Sequence, residues 1–157
     1  MTRYSFEDYN EYNVLKIPLT LILVNLYLVK HFLIFVLPMI STIPVLVKFA
    51  HEQFSIALLL SSIPAALVIV GMVRRVPNTR SRIIGLIWRK GRFLLLSSLV
   101  LEISFIALYV VLGLKKFNEV SLMFVYIDVV LIIFLVRSQR VRDVFTEFPE
   151  KEVKGNV

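Results

Sequence analysis

Residues 17–39 read IPLTLILVNLYLVKHFLIFVLPM and are apolar almost throughout, with Lys30 and His31 in the middle. A helix needs about 20 apolar residues to cross the roughly 30 Å hydrocarbon core of a bilayer, so this stretch is long enough to span a membrane. Lys30 and His31 lie too deep in it to act as flanking anchors. The stretch therefore predicts a membrane-spanning helix that carries ionisable groups inside the membrane.

The composition agrees with this prediction. The 157 residues are 58% hydrophobic and 18% charged, whereas a soluble domain is nearer half apolar and about a quarter charged. The absence of cysteine excludes disulfides, thiolate catalysis and cysteine-based metal sites. With only two histidines we expect no metal and no cofactor. The net charge of +7 is interpreted as a topology signal rather than as nucleic-acid binding, because the sequence contains no soluble basic domain.

Three further apolar segments follow the first, and together the four predict an all-α integral membrane four-helix bundle. The predicted spans are residues 17–39, 54–73, 93–114 and 120–136. Pro64 in the middle of the second span predicts a kink, with the hydroxyls of Ser61 and Ser62 close enough to satisfy the loosened backbone. The segment at 41–53 is interpreted as a short connection at the membrane surface.

The segment at 74–92 contains seven arginines and lysines and no acidic residue. Its apolar side chains recur at helical spacing opposite Arg82 and Arg89, which predicts a short interfacial amphipathic helix. The apolar residues concerned are Ile83, Ile84, Ile87 and Trp88.

The distribution of cations predicts the orientation of the chain. Fourteen lysines and arginines fall in residues 1–16, 74–92 and 137–157, whereas the other two loops hold only three. By the positive-inside rule the three cation-rich segments are cytoplasmic. The sequence therefore predicts that the N-terminal segment, the basic loop, the tail and both termini lie in the cytoplasm.

The same cations are the predicted binding surface for anionic phospholipid headgroups or for a docked cytoplasmic protein. The candidate partners are the bilayer itself, a membrane-protein partner and a second copy of the chain. The basic residues concerned are Arg74, Arg75, Arg82, Arg89, Lys90, Arg92, Arg137, Arg140 and Arg142.

Three stretches of the chain resemble one known family. They are YSFEDYNEYNVLKIP at 4–18, RKGRFLL at 89–95 and RSQRVRDVFTEFP at 137–149, and they are similar to the YfeZ-like family of bacterial inner-membrane proteins. The last stretch is the most specific, because a basic segment beside the membrane runs directly into an Asp-Val-Phe and a Phe-Pro motif. The resemblance covers nearly the whole chain and implies four spans in a bacterial inner membrane. It implies no catalytic residues and no assigned activity.

Five polar or ionisable side chains lie at membrane depth, namely Asn25, Lys30, His31, Glu102 and Asp128. Counting about 1.5 Å of rise per residue places Lys30 level with Asp128, which predicts a bridge between the first and fourth spans. Glu102 and Asn25 form a predicted second polar layer. One lysine neutralises one carboxylate, so the remaining acid must pair with a protonated His31 or stay protonated itself.

Two functional interpretations follow from these groups. In the first, the polar side chains hold the helices in register, and the protein is an accessory or scaffold subunit that binds lipid or a protein partner. In the second, Glu102, Asp128, Lys30 and His31 serve a small proton-linked transporter or permease. Transporters usually have several broken helices, and only Pro64 breaks a span here, so the first is favoured. We expect no enzymatic activity, because catalytic and nucleotide-binding motifs are absent from the sequence.

Overall fold

The structure is a computed structural model that describes residues 4–10, 12, 14–75, 81–114 and 118–149. Within these residues the chain is helical apart from turns and one isolated antiparallel bridge between Tyr9 and Leu15, so the predicted all-α class is confirmed. The middle of the predicted basic loop, including Arg80, lies outside the described residues. So do the centre of the loop between the third and fourth predicted spans and residues 150–157.

The first apolar stretch forms two helices, α1 at Leu19–Leu28 and α2 at Lys30–Ile40. They are followed by α3 at Pro44–Gln53, α4 at Ile56–Ser61 and α5 at Ile63–Val73. Four more helices follow in the described part of the chain, namely α6 at Arg82–Arg89, α7 at Gly91–Val111, α8 at Glu119–Arg137 and α9 at Gln139–Thr146.

Three helical segments are long and apolar enough to cross a membrane, and α1 with α2 adds a fourth if that bent pair is one span. The three are α4 with α5, α7 and α8. Only 33%, 28% and 17%, respectively, of the residues in their most apolar 18-residue stretches are buried inside the protein. A helix that is apolar on all sides needs an apolar environment on all sides, so these surfaces indicate a multi-pass membrane protein.

The first apolar stretch bends by 59° where α1 meets α2 at Val29, whereas the sequence predicts one continuous helix. Neither proline nor glycine lies at the bend, so the common local causes of a helix kink are missing. Neighbouring side chains on a regular helix diverge by about 100°, yet Lys30 and His31 both reach Glu102. We therefore attribute the bend to the ion pairs that Lys30 and His31 form with Glu102.

The second span is interrupted close to the predicted kink. α4 ends at Ser61, and α5 begins two residues later with Pro64 in its first turn. The Ser61 hydroxyl donates to the Leu58 carbonyl at 2.7 Å, and the Ser98 hydroxyl of α7 donates to the Ser61 carbonyl. The Ser62 hydroxyl has no hydrogen-bond partner in the described residues. A neighbouring helix therefore contributes to the backbone repair that the sequence assigns to Ser61 and Ser62.

The segment between the first two spans contains a helix, α3, where the sequence predicts a surface connection. Pro44 occupies its first turn, where a fixed φ favours helix initiation and the missing N–H costs nothing. α3 packs against α2, so it covers part of the surface that α2 would otherwise expose.

The helix with the most neighbours is α7, which contacts α1, α4, α5, α6, α8 and α9. Its buried residues recur every three or four positions, so they form one face of the helix. Glu102 lies on this face and is therefore directed toward the other helices. The buried residues of α7 are Gly91, Leu95, Ser98, Leu99, Glu102 and Ile106.

Three segments of the chain meet at the end of the molecule where α7 begins. The Tyr4 hydroxyl donates to the Asp143 carboxylate at 2.7 Å, and Arg140 forms an ion pair of 2.7 Å with Asp8. Arg75, just after α5, contacts both the N-terminal segment and the segment that follows α9. The segments that the sequence assigns to one side of the membrane therefore contact one another.

Candidate functional site: an ionic cluster among the apolar helices

The carboxylate of Glu102 lies at the centre of the site. The Lys30 ammonium lies 2.6 Å from its Oε1 and 2.8 Å from its Oε2, and His31 Nε2 lies 3.1 Å from Oε1. Glu102 is only 1% exposed, so these two side chains supply its charge-stabilising contacts. We call Tyr27, Lys30, His31, Glu102 and Asp128 the intramembrane cluster.

The predicted Lys30–Asp128 bridge is not formed, because Lys30 pairs with Glu102. Counting residues from the ends of a span gives the height of a side chain but not the direction in which it points. Glu102 points inward from α7, and the bend at Val29 directs the start of α2 toward it. The rotation of the helices therefore decided the partner.

Asp128 accepts a hydrogen bond of 3.0 Å from the Tyr27 hydroxyl, which also lies 3.3 Å from the Phe124 carbonyl. Asp128 is fully buried, and its Oδ2 has no hydrogen-bond partner among the described residues. Sequence reasoning missed Tyr27. The available signal was its spacing, since Tyr27 lies three residues before Lys30 and therefore on nearly the same helix face.

Aromatic rings enclose the cation of the cluster. The Lys30 ammonium lies 3.7 Å from the centroid of the Tyr27 ring and 5.0 Å from that of Phe124. His31 meets Phe124 edge-on with centroids 6.3 Å apart. Ring faces attract cations most strongly where water is excluded, so Tyr27 and Phe124 help to hold Lys30 beside Glu102.

Asn25 does not form the predicted polar layer with Glu102. Its side chain is buried and donates to the Leu21 carbonyl of its own helix at 3.0 Å. Its side-chain oxygen has no hydrogen-bond partner in the described residues. Asn25 is therefore a buried polar group outside the network of the intramembrane cluster.

The cluster contains two carboxyl groups, one lysine and one histidine. With Lys30 protonated and Glu102 ionised, the set is neutral when a single proton resides on either Asp128 or His31. The cluster can therefore bind or release a proton, and its net charge changes by one when it does. The described residues contain no group of three His, Asp or Glu side chains that could hold a metal ion.

A second buried cation, Arg75, lies at the end of the molecule where α7 begins. Its Nη1 donates to the Leu15 carbonyl at 2.8 Å and its Nη2 to the Glu147 carbonyl at 3.0 Å, and the guanidinium lies 4.7 Å from the Trp88 ring. Burial lowers the pKa of Arg75, and the Glu147 carboxylate opposes that shift. Arg75 is only 7% exposed, so it is not available to lipid headgroups as predicted.

Helix α9 and the residues that follow it pack at the same site as Arg75. The Trp88 indole N–H is 3.0 Å from the carbonyls of both Val144 and Glu147, and its ring centroid is 4.9 Å from that of Phe145. The Glu147 carboxylate accepts the Leu15 backbone N–H at 2.7 Å. We call Leu15, Arg75, Trp88, Phe145 and Glu147 the Arg75 cluster. Sequence reasoning assigned Trp88 to an interfacial helix and did not predict this docking.

Two more of the predicted surface cations take part in contacts within the chain. Arg92 donates to the carbonyls of Leu135 and Val136 at 3.0 and 2.9 Å, where the end of α8 leaves carbonyls without helical partners. Arg140 is paired with Asp8. Other members of the predicted set are exposed, and these are Arg74, Arg82, Arg89, Lys90, Arg137 and Arg142.

Comparison with known proteins identifies the chain at the level of its family. No curated protein matches it significantly, and no solved structure does so either. A family model described as a protein of unknown function, DUF2919, matches residues 4–147. The match includes every helix from α1 to α9 and both clusters, and the family description assigns no activity. The chain therefore belongs to the DUF2919 family of proteins of unknown function.

Proposed function

We propose that this protein is a non-enzymatic accessory or scaffold subunit of the bacterial inner membrane. In this proposal it folds as a YfeZ-like four-helix bundle with both termini in the cytoplasm. Its exposed cations bind anionic phospholipid or a protein partner, and its intramembrane cluster holds the helices in register.

One observation carries the proposal, namely that the intramembrane cluster is closed on itself. Glu102 contacts Lys30 and His31, Asp128 contacts Tyr27, and both acids are at most 1% exposed. Hydrogen bonds of this kind between spans are worth about 1 kcal/mol each, but they specify which helix faces meet. A transport site must instead open to each side of the membrane in turn.

The orientation is supported by sequence and geometry together. The cation-rich segments satisfy the positive-inside rule if they are cytoplasmic, and they contact one another at one end of the molecule. Reporter fusions test the orientation directly. A reporter that is active only in the cytoplasm should be active when fused after residues 80 and 149. A reporter that is active only in the periplasm should be active when fused after residue 116. A periplasmic residue 80 would overturn the orientation.

A proton-linked permease is the second candidate, and one observation favours it. Two spans are broken close to the cluster, one at Val29 beside Lys30 and the other at Ser62. The Ser61 carbonyl there binds Ser98, one helical turn before Glu102. Interrupted helices around a charged site near the middle of the membrane are typical of secondary transporters.

Proton flux into liposomes distinguishes the two candidates. Purified full-length protein is reconstituted with an internal pH-sensitive dye, and a potassium gradient with valinomycin supplies the driving force. The accessory proposal expects the same flux as in empty liposomes. Flux that is abolished by Glu102→Gln, in a variant that still assembles, would overturn it in favour of the permease. The matched control is Glu52→Gln, because Glu52 is 58% exposed on α3.

A further inference from the structure

A groove of about 500 Å³ opens where α6 turns into α7, with α9 on its other side. Its cationic lining includes Arg89 and Lys90 at that turn and Arg142 on α9, and its apolar lining includes Phe93 and Leu94 on α7. None of its lining residues is an acid. The groove therefore combines cationic and apolar side chains.

The cations of the groove are available to a ligand. In the described part of the chain the side chains of Arg89 and Lys90 form neither an ion pair nor a hydrogen bond, and both are exposed. The one ion pair of Arg142 among the described residues is with its neighbour Asp143, at 3.8 Å, and the Arg142 side chain is 58% exposed. Arg92 also lines the groove, but its guanidinium is already bound to backbone carbonyls at the end of α8. Among the described residues Arg89 and Lys90 thus lack a counter-ion, and Arg142 has only the long pair with Asp143.

The groove lies at the start of a helix that is able to cross a membrane. Gly91 begins α7, whose following residues include Phe93, which is 79% exposed, and the half-buried Leu94 and Ser97. From the cations the groove therefore continues along the apolar surface of the span. An elongated ligand with an anionic head and an apolar chain matches this arrangement, whereas a soluble phosphate would leave the apolar part uncovered.

We propose that this groove is a binding site for an anionic phospholipid. The lipid phosphate lies against Arg89, Lys90 and Arg142, and the upper part of an acyl chain lies along Phe93 and Leu94. This inference deepens the proposed function, and rests on it in assigning this end of the molecule to the cytoplasmic leaflet. Because Phe145 of the Arg75 cluster also lines the groove, a bound lipid contacts the docked tail as well.

Native mass spectrometry of the full-length protein in detergent tests the proposal. The probes are palmitoyl-oleoyl phosphatidylglycerol and phosphatidylcholine of the same chain length. The wild type should retain phosphatidylglycerol in preference to phosphatidylcholine. Arg89→Gln with Lys90→Gln should weaken phosphatidylglycerol binding by roughly tenfold or more, because two charges close to the phosphate are lost.

The matched control removes the same charge outside the groove. Arg82 and Arg137 are exposed at the same end of the molecule and do not line the groove, so Arg82→Gln with Arg137→Gln should change binding by less than about twofold. The double variant Arg89→Lys with Lys90→Arg keeps the charges and should retain binding. An unchanged gel-filtration profile and helical content verify that each variant is folded.

Three results would overturn the proposal. Equal losses in both neutralised pairs would show general attraction to anionic lipid, and no loss in either would show that the groove is not used. Displacement of the lipid by millimolar glycerol phosphate would indicate a site for a soluble phosphate. The measurement in detergent does not depend on membrane sidedness, so it can succeed or fail independently of the reporter fusions that test the proposed function.

Discussion

In the described part of the chain, Lys30 and Arg75 are cations held inside the protein, and their charges are stabilised in different ways. Lys30, among the apolar helices, lies 2.6 Å from the carboxylate of Glu102 and 3.7 Å from the Tyr27 ring. Arg75, at the end of the molecule, lies against the Trp88 ring but donates to backbone carbonyls, those of Leu15 and Glu147. Each cation has an aromatic neighbour, so the difference between the two sites lies in the acceptor.

The difference follows from where free acceptors exist. Inside a membrane-spanning helix nearly every carbonyl is used by the helix itself, so a buried cation must be matched by an acidic side chain from another helix. Leu15 and Glu147 lie outside helices, where carbonyls lack helical partners. A guanidinium, with its widely spaced donors, can link two such carbonyls. The Lys30 site should therefore be sensitive to loss of the positive charge. The Arg75 site should also be sensitive to the spacing of the hydrogen-bond donors.

The largest effect is expected from Lys30→Met. It leaves the buried Glu102 carboxylate with His31 as its one remaining ion-pair partner among the described residues, and removing one partner of a buried ion pair costs about 3 kcal/mol or more. The free energy of unfolding, measured by titrating dodecyl sulfate into detergent micelles, should fall by that amount. Lys30→Met combined with Glu102→Leu should be less destabilising than Lys30→Met alone.

The control for this prediction is Lys48→Met. Lys48 is 80% exposed, and its ion pair with Glu52 is long, at 3.9 Å. Its loss should therefore change the free energy of unfolding by less than about 0.5 kcal/mol. Equal effects of the substitutions at Lys30 and Lys48 would contradict the contrast drawn between buried and exposed lysines.

An intermediate effect is expected from Gly91→Ala. A Cβ at Gly91 would overlap the ring of Phe145, which is itself packed on Trp88. Overpacking costs about 1–3 kcal/mol, and the better helix propensity of alanine returns about 1 kcal/mol of it. We expect α9 to undock, with faster proteolysis of residues 137–149 and a red shift in the fluorescence of Trp88, the only tryptophan.

Gly85→Ala is the matched control for that substitution. A Cβ at Gly85 has nothing within 4 Å, and Gly85 lies inside α6, so alanine should stabilise this helix by up to about 1 kcal/mol. If both substitutions destabilised the protein, the effect of Gly91→Ala could not be assigned to the overlap with Phe145.

The smallest effect is expected from Arg75→Lys. The charge remains, but one ammonium cannot easily reach both Leu15 and Glu147 carbonyls, so about one hydrogen bond worth about 1 kcal/mol is lost. The thermal midpoint followed by Trp88 fluorescence should fall by a few degrees. Arg82→Lys, at an exposed position, should leave it unchanged. An unaltered midpoint in Arg75→Lys would show that charge alone matters at this site.

The extent to which sequence reasoning succeeded differs between the two clusters. It selected Lys30, His31, Glu102 and Asp128, because ionisable residues within apolar segments are expected to have partners. It assigned Lys30 to Asp128 instead of Glu102, because residue counting gives depth but not the rotation of each helix. The Arg75 cluster was not predicted at all, since it joins residues from distant parts of the chain, such as Leu15 and Glu147, with no periodic signal.

By itself the sequence determined that this chain is helical, that several of its segments are apolar enough to cross a membrane and that charged groups lie within them. Hydropathy and period are local properties of a segment, so they can be read without the rest of the chain. Only the tertiary structure decided that Glu102 is the partner of Lys30 and that α1 and α2 bend at Val29. It also decided that Arg75 is a buried structural residue. These features depend on which helix faces meet, and that is set by all the contacts of the fold together.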